Sequence, residues 1–246
     1  MHIYYRLSDK NRRGKAPSYF TNENCLNNFL KYFEIDSEDS ITIIADNIEK
    51  NTEKWLSTYN IPIILTTLGN SGSFYYCLNE VIKNKKDNEI IYFVENDYLH
   101  RNNSKNVMIE AFDTFKADYV SLYDAPEKYA FHYNSNYHKY LDLSGGLFEN
   151  YMNKIYCGRN CYFRTSNSFT MTFASTVINL KNDIDIFEYN LFNHGSNRNN
   201  FLSIPRDFEL FKMISEVRNK KLLTPMPGYC THGDILSPHV DWKNFI

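Results

Sequence analysis

The chain has 246 residues, of which 43% are hydrophobic and 23% are charged, enough for one large α/β domain or two small ones. Its formal net charge of −2 gives no overall field that would attract nucleic acid, so we expect no nucleic-acid partner. No apolar stretch reaches the roughly 18 residues of a spanning helix, no signal peptide is visible, and the cysteines are too scattered for a secreted disulfide framework. We therefore expect a soluble, cytoplasmic protein without a transmembrane segment.

The first 125 residues alternate between strand and helix patterns. Short apolar or β-branched runs predict strands at 3–7, 40–45, 61–66, 89–94 and 118–122. Apolar residues at helical spacing predict helices after Thr21, around 49–59, after a turn at 69–72, and from about 102 to 115. This alternation predicts βαβ crossovers and an α/β fold with a mostly parallel sheet, covered by helices on both faces.

The pattern changes beyond residue 125. Short aromatic strands are predicted near 136–143, 154–157, 160–165 and 169–174, followed by helices around 176–187 and 207–218 and an irregular tail from 224. No repeat or low-complexity linker divides the chain. We predict a single domain over 1–246, with a nucleotide-binding half at 1–125 and a smaller, mixed acceptor-binding half at 126–246.

Polar residues stand where three of the predicted strands end. Arg6 and Ser8 close the first strand, with Tyr5 beside them, and Asp46 closes the second. The fourth strand runs directly into Glu95, Asn96 and Asp97. Since ligands of open α/β sheets bind outside the carboxyl ends of the strands, these side chains are candidates for holding a nucleotide diphosphate. Each acid is also compatible with an ordinary turn at a strand end.

The spacing of Glu95 and Asp97 suits a divalent cation. Two carboxylates at i and i+2 after an apolar run can supply one direct ligand and one ligand through water. Mg²⁺ or Mn²⁺ accepts such oxygen ligands, keeps several waters and shares diphosphate oxygens. The alternative is that both acids cap the helix predicted to follow them.

The stretch FVENDYLHR (93–101) resembles the F-x-E-D-D-Y-x-H-R form of the metal motif in glycosyltransferase family 2. The chain is similar to this family over most of 1–242 by the order of its features. The resemblance implies a GT-A fold, a nucleotide-sugar donor and Mn²⁺ or Mg²⁺ as cofactor. Asn96 departs from the family's Asp, while Asp97 matches the Asp that is the usual direct metal ligand.

Further motifs carry the same resemblance. The stretch TLGNSGSF (67–74) resembles the turn and helix start beside the nucleotide, which implies contacts from Asn70, Gly72 and Ser73. Small residues at a helix start also let backbone N–H groups approach phosphate, whatever the family. Asp46 matches the acid that hydrogen-bonds base or ribose, and Asn96 adjoins the same nucleotide site.

The stretch RDFEL (206–210) resembles the family's E-D-x-E-L helix start, which implies that Asp207 is the general base of an inverting reaction. We expect the helix dipole to lower the pKa of Asp207 and keep it ionised. A plain N-cap aspartate is the alternative. A late histidine completes the metal shell in several GT-A transferases; His232 is the candidate and His239 the reserve.

Three residues of the second half are candidates for acceptor or sugar contacts. Arg164 and Asn167 lie in a polar run between two aromatic strands, and Trp242 stands near the carboxyl end. Ordinary turn chemistry also explains the polar run, and Trp242 is equally suited to anchoring the terminus.

The sequence as a whole predicts a metal-dependent glycosyltransferase that moves a sugar from a nucleotide-sugar, with UDP favoured, to a hydroxyl of a glycan or other acceptor. Two alternatives stay open. A sugar-phosphate nucleotidyltransferase should carry a glycine-rich basic loop after the first strand, whereas this loop has one glycine, Gly14. A non-catalytic module of the same fold would bind nucleotide or carbohydrate without turnover.

Overall fold

The structure is a computed structural model that describes residues 1–10, 16–128, 154–193 and 200–246. The strand predicted near 136–143 lies outside the described residues. Among the described helices, none combines the length and apolar character that crossing a bilayer requires.

The amino-terminal part of the chain alternates strands and helices as predicted. Its elements, in chain order, are β1 (His2–Leu7), α1 (Asn22–Tyr32), β2 (Ser40–Asp46), α2 (Lys50–Leu56), β3 (Ile63–Thr66), α3 (Gly69–Asn84) and β4 (Ile90–Glu95). The N-cap of α1 is Thr21, whose hydroxyl accepts the Asn24 N–H, so this predicted helix start is confirmed. β1 lies between β2 and β4 and is parallel to both, and β2 is parallel to β3.

The rest of the described chain adds shorter strands and helices. They are β5 (Tyr98–His100), α4 (Ser104–Asp113), β6 (Tyr119–Val120), β7 (Ile155–Cys157), β8 (Tyr162–Thr165), β9 (Phe173–Thr176), α5 (Val177–Asn182), α6 (Ile184–Leu191), α7 (Asp207–Glu216), β10 (Leu222–Met226) and β11 (Cys230–His232). Over the described ranges, nine strands form one sheet in the order β3-β2-β1-β4-β9-β6-β10-β8-β7, and β5 pairs with β11 in a small separate sheet.

The helices cover both faces of the large sheet. On one face, α1 and α4 bury apolar side chains such as Phe29 and Met108 against the strands. On the other face, α3, α6 and α7 do the same with Phe74, Phe187 and Phe211. These buried positions recur every three or four residues, which is the spacing that predicted the helices. The predicted α/β architecture is therefore confirmed, with antiparallel strands around β9 and at the β8–β7 edge.

The structure corrects several predicted elements. The tail from 224 is not irregular, because β10 pairs with β6 and β8 on its two sides and β11 pairs with β5. The predicted turn at 69–72 is the first turn of α3, and the helix predicted at 176–187 is two helices that meet at Asp183. Strands of three to five residues carry too little periodicity to be recognised without their partners.

The topology brings several chain segments to one edge of the large sheet. The carboxyl ends of the parallel strands β1, β2 and β4 meet there, and the antiparallel strand β9 begins there. Just beyond β4, the β5–β11 pair places His232 opposite Tyr98, and the Gly233 N–H donates to the Asp97 carbonyl at 2.9 Å. This backbone bond fixes the late histidine beside the acidic end of β4.

Behind this edge, Asn28 joins three parts of the chain. Its amide donates to the carbonyls of His100 and Phe245 and accepts the His100 N–H at 2.6 Å. The imidazole of His100 is fully buried, with its Nε2 2.7 Å from the Tyr92 hydroxyl. Burial lowers the pKa of His100 from 6.5 to about 3, because the charged ring would lose its hydration.

We predict that His100 makes the protein sensitive to mild acid. The unfolded chain binds a proton at His100 below pH 6.5, whereas the folded protein does not until about pH 3. The stability that His100 confers is therefore complete above pH 6.5 and is lost as the pH falls. Urea unfolding at pH 7.5 and 5.0 should show a smaller loss for His100→Gln than for the wild type, by about 2 kcal/mol. Equal losses in the two proteins would contradict this prediction.

Candidate active site

A cleft of about 510 Å³ opens at the carboxyl edge of β1, β2 and β4. It gathers residues from β1 through to the segment after β11. Ten of the residues predicted from the sequence line it: Arg6, Ser8, Asp46, Asn70, Ser73, Glu95, Asn96, Asp97, Asp207 and His232. Residues more than 200 positions apart in the chain thus meet in one cavity.

Arg6 is a buried cation that ties the end of β1 to two neighbouring elements. Its guanidinium donates to Glu95 Oε1 at 3.3 Å and to the Asn70 carbonyl at 2.7 Å. It also donates to the Asn70 side chain and to Ser73 Oγ, and it lies 5.4 Å from the Phe74 ring centre. Arg6 therefore links the acidic end of β4 to the first turn of α3.

Asp46 caps the helix α3. Its carboxylate accepts the N–H groups of Leu68 at 2.6 Å and Gly69 at 3.1 Å, and the Thr66 hydroxyl at 2.9 Å. Asn47 Nδ2 donates to the second oxygen at 2.7 Å. These partners satisfy the helix N-terminus and place negative charge at its positive end. The carboxylate lines the cleft, yet its oxygens are engaged in joining β2, β3 and α3.

We predict that Asp46→Asn lowers stability. The amide would turn an NH₂ group toward donors that the carboxylate now accepts, and it would remove the charge at the N-terminus of α3. The expected cost is about 1–3 kcal/mol of unfolding free energy. Chemical denaturation would measure it, and a variant as stable as the wild type would show that the capping bonds contribute nothing.

Glu95 is an acid in an environment that opposes its ionisation. Burial and the charge of Asp97 raise its pKa, the nearby charge of Arg6 lowers it, and the net result is a pKa of about 7. Its backbone N–H donates to Thr172 Oγ1 at 3.0 Å, which fixes the end of β4 against the segment before β9. Near neutral pH, Glu95 is therefore present in both its protonated and its ionised form.

Asp97 and His232 form an ion pair in the cleft. Asp97 Oδ2 lies 3.3 Å from His232 Nε2, and about a quarter of each side chain is exposed. Burial disfavours the imidazolium, but the hydrogen bond to Asp97 and the charges of Asp97, Glu95 and Asp234 raise the pKa of His232 to about 9. The second oxygen, Asp97 Oδ1, is buried and has no hydrogen-bond partner among the residues that the structure describes.

The Asp97–His232 pair fits a divalent cation in part. An unpartnered carboxylate oxygen beside an imidazole nitrogen is a donor set that Mn²⁺ accepts. Within the described ranges, no three His, Cys, Asp or Glu side chains converge closely enough to hold a metal ion by themselves. A cation that uses few protein ligands and takes the rest from diphosphate oxygens and water matches this arrangement.

Asp207 begins α7 and lines the cleft on the side of the β9 segment. Its Oδ1 accepts the N–H of Phe208 at 2.8 Å. The sequence predicted a lowered pKa, and this is wrong: burial outweighs the backbone hydrogen bond and raises the pKa of Asp207 to about 6. The carboxylate is thus ionised at neutral pH but is a stronger base than an exposed aspartate.

Asn96 contributes mainly to the architecture of the site. Its amide donates to the Ser8 carbonyl at 3.1 Å and to Asn22 Oδ1 at 2.5 Å. It thereby joins the end of β4 to the end of β1 and the start of α1. An aspartate side chain has no N–H group and could not donate these two hydrogen bonds. The departure from the family's Asp to Asn96 therefore coincides with bonds that only the amide can donate.

Five predicted site residues are not brought to the cleft. Tyr5 is fully buried in the core, and Gly72 packs against Phe201. Arg164 forms a buried ion pair with Asp124 at 2.9 Å. Asn167 is buried and does not line the cleft, and Trp242 is buried with its Nε1 donating to the Ser237 carbonyl at 3.0 Å. Beyond these five, the reserve His239 is exposed and does not line the cleft.

Sequence reasoning missed part of the cleft lining. The additional residues are Leu7, Lys10, Asn47, Gly69, Tyr98, Thr170, Met171, Ser203, Ile204, Pro205 and Asp234. Those beside β1, β2 and β4 adjoin predicted strand ends and were within reach of the same argument. Thr170, Met171 and the group 203–205 stand in segments without a recognisable motif, and only their placement reveals them.

Comparison with known proteins finds similarity of fold. No family model matches the sequence, and no curated protein matches it in sequence. S. aureus TarS 1-349 in complex with UDP-GlcNAc superposes with a TM-score of 0.52 at 12% identity, covering 94% of this chain and 58% of that one. GalNAc-T7 with UDP, GalNAc and Mn²⁺ gives 0.53 at 9% identity, covering 94% and 43%. This chain has a GT-A-like glycosyltransferase fold.

The GT-A-like fold is not confined to one activity among these neighbours. A nucleotidyl transferase from Methanothermobacter gives a TM-score of 0.50 at 12% identity, covering 91% of this chain and 86% of that one. This chain spans about half the length of the TarS and GalNAc-T7 structures. At such low identities the likeness shows the fold, and the chemistry has to be argued from the cleft.

Proposed function

We propose that this protein is a metal-dependent glycosyltransferase that moves a sugar from a UDP-sugar to a hydroxyl of a glycan or other acceptor. One observation carries the proposal: the Asp97–His232 pair, whose Asp97 Oδ1 has no hydrogen-bond partner in the described part of the chain, lines the same cleft as Asp207. A cation site and a base of pKa about 6 are the two groups that direct displacement of a diphosphate requires.

In this proposal Asp97 and His232 would hold Mn²⁺ or Mg²⁺, with Glu95 acting through water, and the ion would supply charge neutralisation for the departing UDP. His232 would have to be neutral to act as a ligand, so it would release the proton that Asp97 and Glu95 favour. GalNAc-T7, whose structure contains UDP and Mn²⁺, is consistent with a cation in this fold.

The nucleotide occupies the side of the cleft formed by β1, β2 and the start of α3. Ser8, Asn70 and Ser73 supply polar groups there, and Lys10 supplies a positive charge for phosphate. Asp46 shapes this side by capping α3, and we do not assign it to the ribose, because its oxygens already accept four different donors. The UDP-GlcNAc and UDP complexes of TarS are consistent with such a donor.

Asp207 takes the proton of the acceptor hydroxyl. Its carboxylate is ionised at neutral pH, and its raised pKa makes proton transfer more favourable than with an exposed aspartate. A base that acts directly on the acceptor, without a covalent sugar intermediate, leads to inversion at the anomeric carbon. The oxygen of the acceptor attacks the anomeric carbon while the bond to the diphosphate breaks.

A donor panel tests the proposal. The protein is incubated with UDP-glucose, UDP-galactose, UDP-GlcNAc and UDP-GalNAc, with Mn²⁺, Mg²⁺ or EDTA, and release of UDP is measured. We expect slow release that depends on Mn²⁺ or Mg²⁺ with at least one donor. Calorimetry of UDP binding with and without Mn²⁺ accompanies it, and absence of both metal-dependent release and metal-dependent binding would refute the proposal.

An assay with UTP and a sugar 1-phosphate tests the alternative of a sugar-phosphate nucleotidyltransferase. One of the similar structures, from Methanothermobacter, is a nucleotidyl transferase. That activity would release pyrophosphate from UTP and a sugar 1-phosphate, without releasing UDP from a UDP-sugar. The loop after β1 has one glycine, Gly14, where this chemistry calls for a glycine-rich basic loop. We therefore expect no pyrophosphate release.

A further inference from the structure

The segment 200–206 forms one wall of the cleft, and Asp207 follows it in the chain. Ser203, Ile204 and Pro205 line the cleft together with Asp207. If Asp207 accepts the proton of the acceptor, the acceptor lies in the part of the cleft that this wall lines together with Asp207. The inference below rests on the proposed function in this respect.

This wall is anchored at both of its ends. The Leu202 N–H donates to the Leu191 carbonyl at 2.8 Å, and the Arg206 N–H donates to the Asn190 carbonyl at 3.2 Å. Both acceptors belong to the last turn of α6. The wall therefore has a defined position relative to α6 and to the start of α7.

Phe201 adds an apolar anchor to the wall. Its ring centre lies 4.7 Å from that of Phe192 and 5.8 Å from that of Tyr75. A Cβ atom on Gly72 would lie 3.0 Å from the Phe201 ring, closer than carbon atoms normally approach. Gly72 thus leaves the space in α3 that the ring occupies, which explains a glycine that does not line the cleft.

Two exposed apolar side chains stand close to Asp207 in the chain, and one of them, Ile204, also lines the cleft. Ile204 is 57% exposed, and Phe208, on the other side of Asp207 in sequence, is 37% exposed. Large exposed apolar side chains next to a binding cleft are characteristic of ligand contact. An acceptor that met only polar groups would gain nothing from an isoleucine at this place.

We infer that Ile204 binds the acceptor and that the acceptor is a pyranoside that carries an apolar aglycone. Ile204 covers this aglycone while Asp207 contacts the reacting hydroxyl. Phe201 is a positioning residue, which holds Ile204 in place through the space left by Gly72.

Equilibrium binding tests this inference independently of turnover. The protein is loaded with UDP and Mn²⁺ and titrated with para-nitrophenyl and methyl β-glycosides of glucose, galactose and N-acetylglucosamine. We expect at least one para-nitrophenyl glycoside to bind about tenfold more tightly than its methyl counterpart. Ile204→Ser should remove this preference and leave UDP binding unchanged.

Ile178→Ser is the matched control, because Ile178 is 41% exposed on α5 and does not line the cleft. It should keep the preference. No preference in the wild type, or an unchanged preference in Ile204→Ser, would overturn the inference while normal UDP binding left the proposed function standing. Failure of the wild type to bind UDP would instead refute the proposed function.

The role of Phe201 has its own pair of variants. Phe201→Ala should lose the preference for para-nitrophenyl glycosides, whereas Phe201→Leu should retain most of it, since an apolar anchor remains. A purely structural contribution would lower the melting temperature of Phe201→Ala without changing the ratio of the two dissociation constants, and that result would contradict the positioning role.

Discussion

Asp97→Asn should abolish the Mn²⁺-dependent part of UDP binding, on the order of 100-fold or more in affinity. The amide supplies one neutral oxygen in place of a carboxylate whose buried Oδ1 accepts no hydrogen bond from the described residues. The folded protein should tolerate the change, because loss of this single ion pair is a modest cost for a chain of 246 residues, although Asp97 raises the pKa of His232 and therefore contributes some stability. We expect the melting temperature to shift by less than about 4 °C.

Asp46→Asn is the matched comparison for this prediction. Both residues are acids at strand ends that line the same cleft, but the Asp46 carboxylate already accepts hydrogen bonds from two N–H groups at the start of α3. We expect Asp46→Asn to lower stability and Asp97→Asn to lower metal-dependent UDP binding. Calorimetric titrations with and without Mn²⁺, together with thermal unfolding, separate the two effects. A large loss of stability in Asp97→Asn with intact UDP binding would mean that Asp97 is structural.

Asp207→Asn should lower kcat about 10²- to 10⁴-fold, the range that a general base contributes. UDP binding should be nearly unchanged, because in the proposed function Asp207 contacts the acceptor and not the nucleotide. Glu209→Gln, in the first turn of the same helix, is the control and should keep full activity. A variant Asp207→Asn that turns over normally would exclude Asp207 as the base.

The pH dependence of the reaction follows from the pKa of Asp207. Since burial raises this pKa to about 6 and only the ionised carboxylate accepts a proton, the rate should rise with pH through about 6. Single-turnover rates measured from pH 4.5 to 8 should show this rise in the wild type. The residual activity of Asp207→Asn should lack it, and an identical profile in the variant would assign the titration to another group.

The sequence alone predicted the alternating α/β half, because the spacing of apolar residues within each element shows which of its faces is buried. The apolar residues of α1 and α3 recur at helical spacing, and the strands before Asp46 and Glu95 are short apolar runs, so each is readable within ten to twenty residues. The acids at the strand ends were predicted to lie together for the same reason: the carboxyl ends of parallel strands share an edge.

Other parts of the fold could not be read in this way. β5 and β11 have three residues each, and they are strands because they pair with one another across 130 positions of the chain. Asp46 and Gly72 were assigned to the nucleotide from their place in a motif. Their actual contacts, the capping bonds to α3 and the ring of Phe201, depend on partners that the motif does not contain.

The sequence by itself determined the fold class and the acidic end of β4, since local spacing and residue chemistry encode these, and the resemblance of RDFEL (206–210) to a family motif supplied the candidate base. Tertiary structure decided that His232 meets Asp97, that Asp207 has a raised rather than lowered pKa, and that Ile204 stands beside it at the cleft. The physical reason is that burial, hydrogen-bond partners and charge environment are sums over segments distant in the chain. Burial, hydrogen-bond partners and charge environment are therefore defined only once the sheet and the β5–β11 pair bring those segments together.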